Sequence, residues 1–163
     1  MAEGKIHFAE RDGTCVIRCS GEIRYTLGHA LDVFLDRLFE RGGFDHILVD
    51  LSETESIDST GLGLLAKIAN FIRQRDQRKP LLFVARADIV ELLTSLCLDE
   101  VFVLCDAIPD LGRGEVLQST DPSAAELAHT VLEAHRLLAA MNNDNRAQFQ
   151  SVVDGLTVEL SKP

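Results

Sequence analysis

Ile47-Leu48-Val49-Asp50-Leu51-Ser52-Glu53-Thr54-Glu55-Ser56-Ile57-Asp58-Ser59-Thr60-Gly61-Leu62-Gly63-Leu64-Leu65 reads as a buried strand, an acidic polar loop and the first turn of an amphipathic helix. The near-continuous apolar run before Ser52 predicts burial on both faces, as in the middle of a sheet. Ser59 and Thr60 stand at the loop–helix junction, where backbone N–H groups lack intrahelical partners. A hydroxyl there can cap the helix, act as a nucleophile or accept a phosphate. Spacing by itself favours the cap.

Working upstream, Ile6–Ala9 and Thr14–Cys19 are short apolar runs separated by Glu10-Arg11-Asp12-Gly13, a hairpin signal. Ser20-Gly21-Glu22 breaks that pattern. From Thr26 the period becomes helical through Leu27, Ala30, Leu31, Phe34, Leu35 and Leu38, with Thr26 as the expected cap and Gly42-Gly43 as the stop. Downstream, Leu62, Leu65, Ile68, Ala69 and Ile72 predict a second helix ending in the charged segment Arg73–Lys79. Leu81–Ala85 reads as a strand, Ile89–Leu96 as a short helix and Phe102–Cys105 as the last strand. The order β-β-α-β-α-β-α-β implies an α/β domain, helices packed on a mostly parallel sheet.

Residues 109–120 are expected to be a linker between this first domain, 1–108, and a helical C-terminal extension, 121–163. In the extension Asp121-Pro122 looks like a cap followed by proline at the first helical position. Leu127, Val131, Ala134, Leu138 and Met141 form a heptad-like stripe. Asn142-Asn143-Asp144-Asn145 ends that helix, and Phe149, Val152, Val153, Leu156 and Leu160 mark another. The expected product is a helical hairpin whose stripe buries against the domain, itself or a second copy, so that a homodimer is one outcome.

The net charge of −10 argues against direct nucleic-acid binding, which needs clustered Lys and Arg. Cys15, Cys19, Cys97 and Cys105 lack metal-ligand spacing and read as core thiols. The chain opens without a signal-peptide pattern and holds no apolar run near the ~20 residues of a membrane span, so a cytoplasmic protein without membrane insertion is expected. Gly-x-Ser-x-Gly is absent, and none of His7, His29, His46, His129 and His135 lies near Ser59 in sequence. His129 and His135 are expected at a surface or an interface. Gly61-x-Gly63 is too short for a phosphate-cradling loop. No enzyme, cofactor or metal is read from these residues; an esterase-like enzyme would need a histidine brought to the Ser59 hydroxyl.

Asp50-Leu51-Ser52 followed by Ile57-Asp58-Ser59-Thr60-Gly61-Leu62-Gly63 resembles the signature of the STAS domain, shared by sulfate transporters and anti-sigma factor antagonists. Gly21-Glu22-Ile23 and the element order from Ile6 to Cys105 agree with it. The likeness is strongest to bacterial anti-sigma factor antagonists, also called anti-anti-sigma factors. It implies a STAS-like mixed sheet with helices packed on it, here followed by the hairpin. It also implies partner switching in transcription control. The unmodified antagonist binds an anti-sigma factor, often a serine-protein kinase, which phosphorylates it, and a PP2C-type phosphatase reverses the modification. By position the phosphorylated residue is Ser59; Thr60, Gly61 and Leu62 fall in the contacted helix start, and Asp58 shapes the loop. The chain would then be a substrate and a ligand rather than a catalyst. The alternative is a STAS subunit of a transporter or larger signalling complex that does not switch. Two features depart from the family pattern. Arg24 stands where many relatives carry an acidic residue, and the hairpin after Asp121 exceeds the minimal domain.

Overall fold

The structure, a computed structural model, describes residues 2–106 and 114–163. Strands β1 (Lys5–Arg11) and β2 (Thr14–Ile23) form the expected hairpin. Asp12 and Gly13 turn it with φ of 52° and 81°, the left-handed conformation that an Asp-Gly pair tolerates. Helix α1 (Tyr25–Arg41) then leads to β3 (His46–Ile57), α2 (Ser59–Asp76), β4 (Leu81–Phe83), α3 (Ala87–Ser95), a short 3-10 turn (Leu98–Glu100) and β5 (Val103–Cys105). The sheet order is β5-β4-β3-β2-β1-β6. From β2 to β5 the neighbours pair in parallel, whereas β1 is antiparallel to β2. The sheet is therefore mixed, with its antiparallel part at one side.

Strand β3 is central and buried on both faces, as its apolar run predicts. Ile47, Val49 and Leu51 point into the main core with Cys15, Ile17 and Cys19 of β2. Leu48 packs with Val16 and Phe83 on the other face. Asp50, two residues after Leu48 and so on the same face of the strand, lies opposite Arg18 in register. Its Oδ2 accepts from Arg18 Nε at 2.8 Å and its Oδ1 from Ser52 N at 2.9 Å, so the buried charge is paired and hydrogen-bonded. The motif aspartate is thus a structural anchor of the central strand pair.

Four expectations about the elements are corrected. Ser20–Glu22 does not end β2, and Ser52–Ser56 is not a loop. Both strands continue in parallel to Ile23 and Ile57, with register shifts between Arg18 and Ser20 and between Gly21 and Glu22. The shifts loosen the period-two pattern by which a strand shows in the sequence. Thr54, almost fully buried, donates its hydroxyl to the Cys19 carbonyl where the ladder shifts. Gly21 adopts φ 73°, and a Cβ there would lie 2.6 Å from the Glu3 carbonyl oxygen. Thr26 does not cap α1; Arg24 occupies that position without a side-chain bond. Phe102–Cys105 is not the last strand, because β6 (Glu115–Val116) pairs antiparallel with β1. That two-residue edge lies inside the expected linker, of which residues 109–113 fall outside the described residues. It is too short to leave a periodic signal.

The tail is a helical hairpin, α4 (Ala124–Ala139) and α5 (Asn143–Ser161). Its start is also corrected. Ser123, rather than Asp121, is the cap, in a reciprocal box with Glu126, and Pro122 lies outside the helix. Asn142 caps α5, accepting from Asn145 N at 2.8 Å, so Asn143–Asn145 open the second helix instead of ending the first. Helix α4 packs against α1, α2 and α5. Its fully buried face is Thr130, Leu132, Ala134, His135, Leu138 and Ala139, rotated from the heptad-like stripe, of which Leu127, Val131 and Met141 are only half-buried. Leu138, Ala139 and Phe149 belong to the main core. The hairpin is therefore continuous with the domain. No helix among the described residues is long and apolar enough to cross a membrane.

Candidate functional site around Ser59

Because β2, β3 and β4 run in parallel, the segments that leave them gather along one rim of the sheet. Arg24 follows β2, Asp58 and Ser59 follow β3, and Arg86 follows β4. Asp58 organises this rim. Its backbone is extended (φ −86°, ψ 176°), and its Oδ1 accepts from Gly61 N at 3.0 Å as the cap of α2. The other oxygen, Oδ2, accepts from Tyr25 N at 2.6 Å and so supplies the cap that Arg24 does not. Asp58 N donates to the Ile23 carbonyl at 3.0 Å. One aspartate thereby starts two helices and joins them to the end of β2. Asp58→Ala is expected to lower stability by about 1–2 kcal/mol, toward the upper end of single-cap effects, because two helix starts lose their acceptor. Urea denaturation measures this, and Asp58→Asn, which keeps one acceptor oxygen and sets an NH2 donor against the other N–H, should recover only the part that one cap supplies.

Since Asp58 is the cap, Ser59 is not. Ser59 is the first residue within α2, and its half-buried hydroxyl is free for another partner. That partner is His135 of α4, whose Nε2 lies 2.9 Å from Ser59 Oγ. The other ring nitrogen, Nδ1, lies 2.7 Å from the Val131 carbonyl oxygen, which can only accept. Nδ1 therefore carries a proton, and in the neutral ring Nε2 accepts from the Ser59 hydroxyl. The ring is buried and meets Phe149 edge-on at 5.6 Å between centroids. The expectation that His135 is a surface or interface residue is corrected; His129 is exposed. Only folding of the tail onto α2 brings His135 to Ser59, across 76 residues of sequence. The available signal was weak: one histidine beside Ala134 on a helix face that is apolar but for Thr130.

The three residues after Ser59 are buried. Thr60 Cγ2 would lie 3.0 Å from a Cβ placed on Gly28 of α1, and Thr130 of α4 borders the same spot at 3.5 Å. Gly61 faces Ile57, whose Cγ1 would meet a Cβ at 2.7 Å. Leu62 points into the core. At the rim's outer edge Arg86 pairs with Asp88 at 3.0 Å, which holds the Asp88 carboxyl below its usual range. Glu55 is near enough to add to the stabilisation of the Arg86 charge. The described clefts lie away from the Ser59–His135 pair. The largest, about 760 Å³, runs between α1 and β6 and is lined by Phe8, Val33, Phe34 and Val116. Among the described residues no cluster of His, Cys, Asp or Glu is arranged to hold a metal ion.

The family model of the STAS domain matches residues 5–111, well over half of the chain. The chain belongs to the STAS domain family. Two solved structures share its architecture. The anti-sigma factor antagonist SpoIIAA in its unphosphorylated form aligns with a TM-score of 0.57 and 16% identity, over 64% of this chain and 90% of that one. The Bacillus cell fate determinant SpoIIAA in the phosphorylated form aligns with a TM-score of 0.54 and 16% identity, over 64% of this chain and 93% of that one. At this identity the likeness is one of fold. No curated protein matches the sequence. The STAS match stops before α4, so His135 lies outside it. The Ser59–His135 bond joins the STAS domain to its own extension.

Proposed function

We propose that this protein is an anti-sigma factor antagonist that binds its anti-sigma factor when Ser59 is unmodified and lets go when Ser59 is phosphorylated. The observation that carries the reading is the place of Ser59. It is the first residue of α2, on the rim where the parallel strands end, with Asp58 taking over the capping role so that the Ser59 hydroxyl is not committed to the helix start. A phosphate there would add about −1.5 to −2 charges beside Asp58 and Glu55. The helix start would partly accommodate the charge through its dipole and free N–H groups. A partner resting on the rim would meet a surface turned anionic, since Arg24 and Arg86 there are already offset by Asp58 and Glu55.

On this reading the partner is an anti-sigma factor with serine-protein kinase activity, and a PP2C-type phosphatase restores the binding form. Asp58 shapes the contact and Thr60, Gly61 and Leu62 set the backbone beneath it. The protein is substrate and ligand, and residues 1–108 are the working domain. The test is incubation with the cognate kinase and ATP followed by phosphosite mapping. Phosphate on Ser59 is the expected result; its absence, together with co-purification on a membrane transporter, would favour the non-switching STAS subunit.

The Ser59–His135 pair gives a second reading its one specific support, since a histidine at the hydroxyl is what an esterase-like enzyme requires. Against it, Nδ1 is held by a main-chain carbonyl and not by a carboxylate. An acyl-enzyme burst with p-nitrophenyl acetate that disappears in Ser59→Ala would establish the enzyme; no burst is expected.

A further inference from the structure

We propose that the α4–α5 hairpin is the resident ligand of the Ser59 face, so that an outside partner gains that face only by displacing the chain's own helix. The proposal deepens the Ser59 reading above and rests on it for the identity of the chemistry that is masked. Three contacts carry it. The Ser59 hydroxyl is engaged by His135, on a ring that is itself held by Val131 and Phe149. Helix α4 crosses α2 one turn further on, backbone against side-chain-free backbone. A Cβ at Gly63 would lie 2.7 Å from the Ala134 Cα and closer still to the Ala134 carbonyl. In the middle of α4, Thr130 closes over Gly28 of α1, at the spot that Thr60 of α2 also borders. The docking face is thus filled by a helix that offers small residues to a glycine and a histidine to a serine. The kind of partner that fits it is another helix of that design, entering the groove between α1 and α2.

The hairpin has its own ties to the rest of the chain. Thr120, just ahead of it, bonds His29 of α1 at 2.7 Å, and Asn145 donates to the Leu96 carbonyl at 2.9 Å. Release is therefore a local opening of α4 from α2 and not a loss of the tail. A closed hairpin lowers the apparent affinity of any partner by the fraction of chains that are open.

Gly63→Ala isolates this contact. Alanine is the better helix former inside α2, and the backbone its methyl meets belongs to Ala134 of α4. The test uses full-length chains carrying Ser59→Cys with Cys97→Ser and Cys105→Ser, with and without Gly63→Ala. The readout is the alkylation rate at position 59 by a polyethylene-glycol maleimide, relative to N-ethylmaleimide. Cys15 and Cys19 stay in place as a folding control. Both are buried, with thiols pushed up to about 11 and about 12 chiefly by burial, and they react only if the domain unfolds. Gly63→Ala is expected to raise the relative rate by ~10-fold or more with both controls silent. An unchanged rate overturns the proposal. If Gly63→Ala exposes the control thiols, His135→Ala takes its place, since it removes a contact without adding a clash. In parallel, Gly63→Ala with native Ser59 is incubated with ATP in a lysate of the cells that make the protein. Ser59 should gain phosphate at least ~5-fold faster than in the wild-type chain, following the open fraction. Slower labelling overturns the proposal, because the hairpin would then be part of what the kinase recognises. A gain in alkylation with no phosphate on Ser59 in either chain upholds the mask and overturns the phosphate-acceptor reading.

Discussion

Arg18→Met should lower the free energy of unfolding by about 3–5 kcal/mol, because it strands a carboxylate in the middle of the sheet. The Asp50 side chain is 2% exposed and that of Arg18 15%. Removing the guanidinium leaves the Asp50 charge with only the Ser52 N–H as partner, in a place where water cannot compensate. The reverse change, Asp50→Ala, strands the arginine, but its side chain is nearer to solvent and the loss should be smaller. The double change Arg18→Met with Asp50→Asn removes the charge and keeps an acceptor for Ser52, and should recover at least half of the single-variant loss. Urea unfolding of the four chains forms the cycle. A double variant no better than Arg18→Met would show that packing, and not the unpaired charge, sets the effect. The prediction separates two roles within one motif: Asp50 holds the central strand pair, while Asp58 builds the rim.

If the protein works as the anti-sigma factor antagonist proposed above, Ser59→Asp should bind its partner at least ~10-fold more weakly than Ser59→Ala, a difference of about 1.4 kcal/mol. The carboxylate adds one charge where a phosphate would add nearly two, so this is a lower bound for the modified protein. Asp58 and Glu55 already offset the charges of Arg24 and Arg86 on the rim, so a further carboxylate turns it negative, and a docked partner would exclude the water that screens it. Ser59→Ala leaves His135 Nε2 without its hydrogen-bond partner, which should cost about 1–3 kcal/mol of stability and loosen α4. The alanine chain is therefore expected to bind no worse than wild type. Titration calorimetry of both variants against the purified partner measures the difference. Equal affinities would sink the electrostatic account of switching.

Much of this architecture was readable from local pattern. The Asp-Gly hairpin, the glycine stop of α1, the buried β3 and the helical periods of α1 and α2 each have a short-range cause, and each formed where its residues called for it. The errors cluster where geometry leaves the simple periods. Register shifts hid the continuation of β2 and β3, and a two-residue edge strand carried no pattern at all. Capping was misplaced three times, at α1, α2 and α4. At α2 the cap is Asp58, one residue before the expected Ser59; at α1 the acceptor is Asp58 again, and no sequence rule looks across 33 residues for a cap.

The site divides in the same way. The strand–loop–helix signature around Ser59, its aspartate and its glycines were visible in the sequence, and with them the STAS family and the rim that Ser59 occupies. These depend on neighbours a few residues apart, whose conformations the chain itself dictates. What Ser59 touches was decided only by the packing of α4 on α2. That contact follows from burying Leu132, Leu138 and Phe149, a non-directional force that fixes which surfaces meet but leaves no mark at either end of the 76-residue gap. The sequence by itself thus determined that a serine opens the second helix of a STAS domain. The tertiary structure decided that this serine is not the cap and that its hydroxyl is held by a histidine from the protein's own tail.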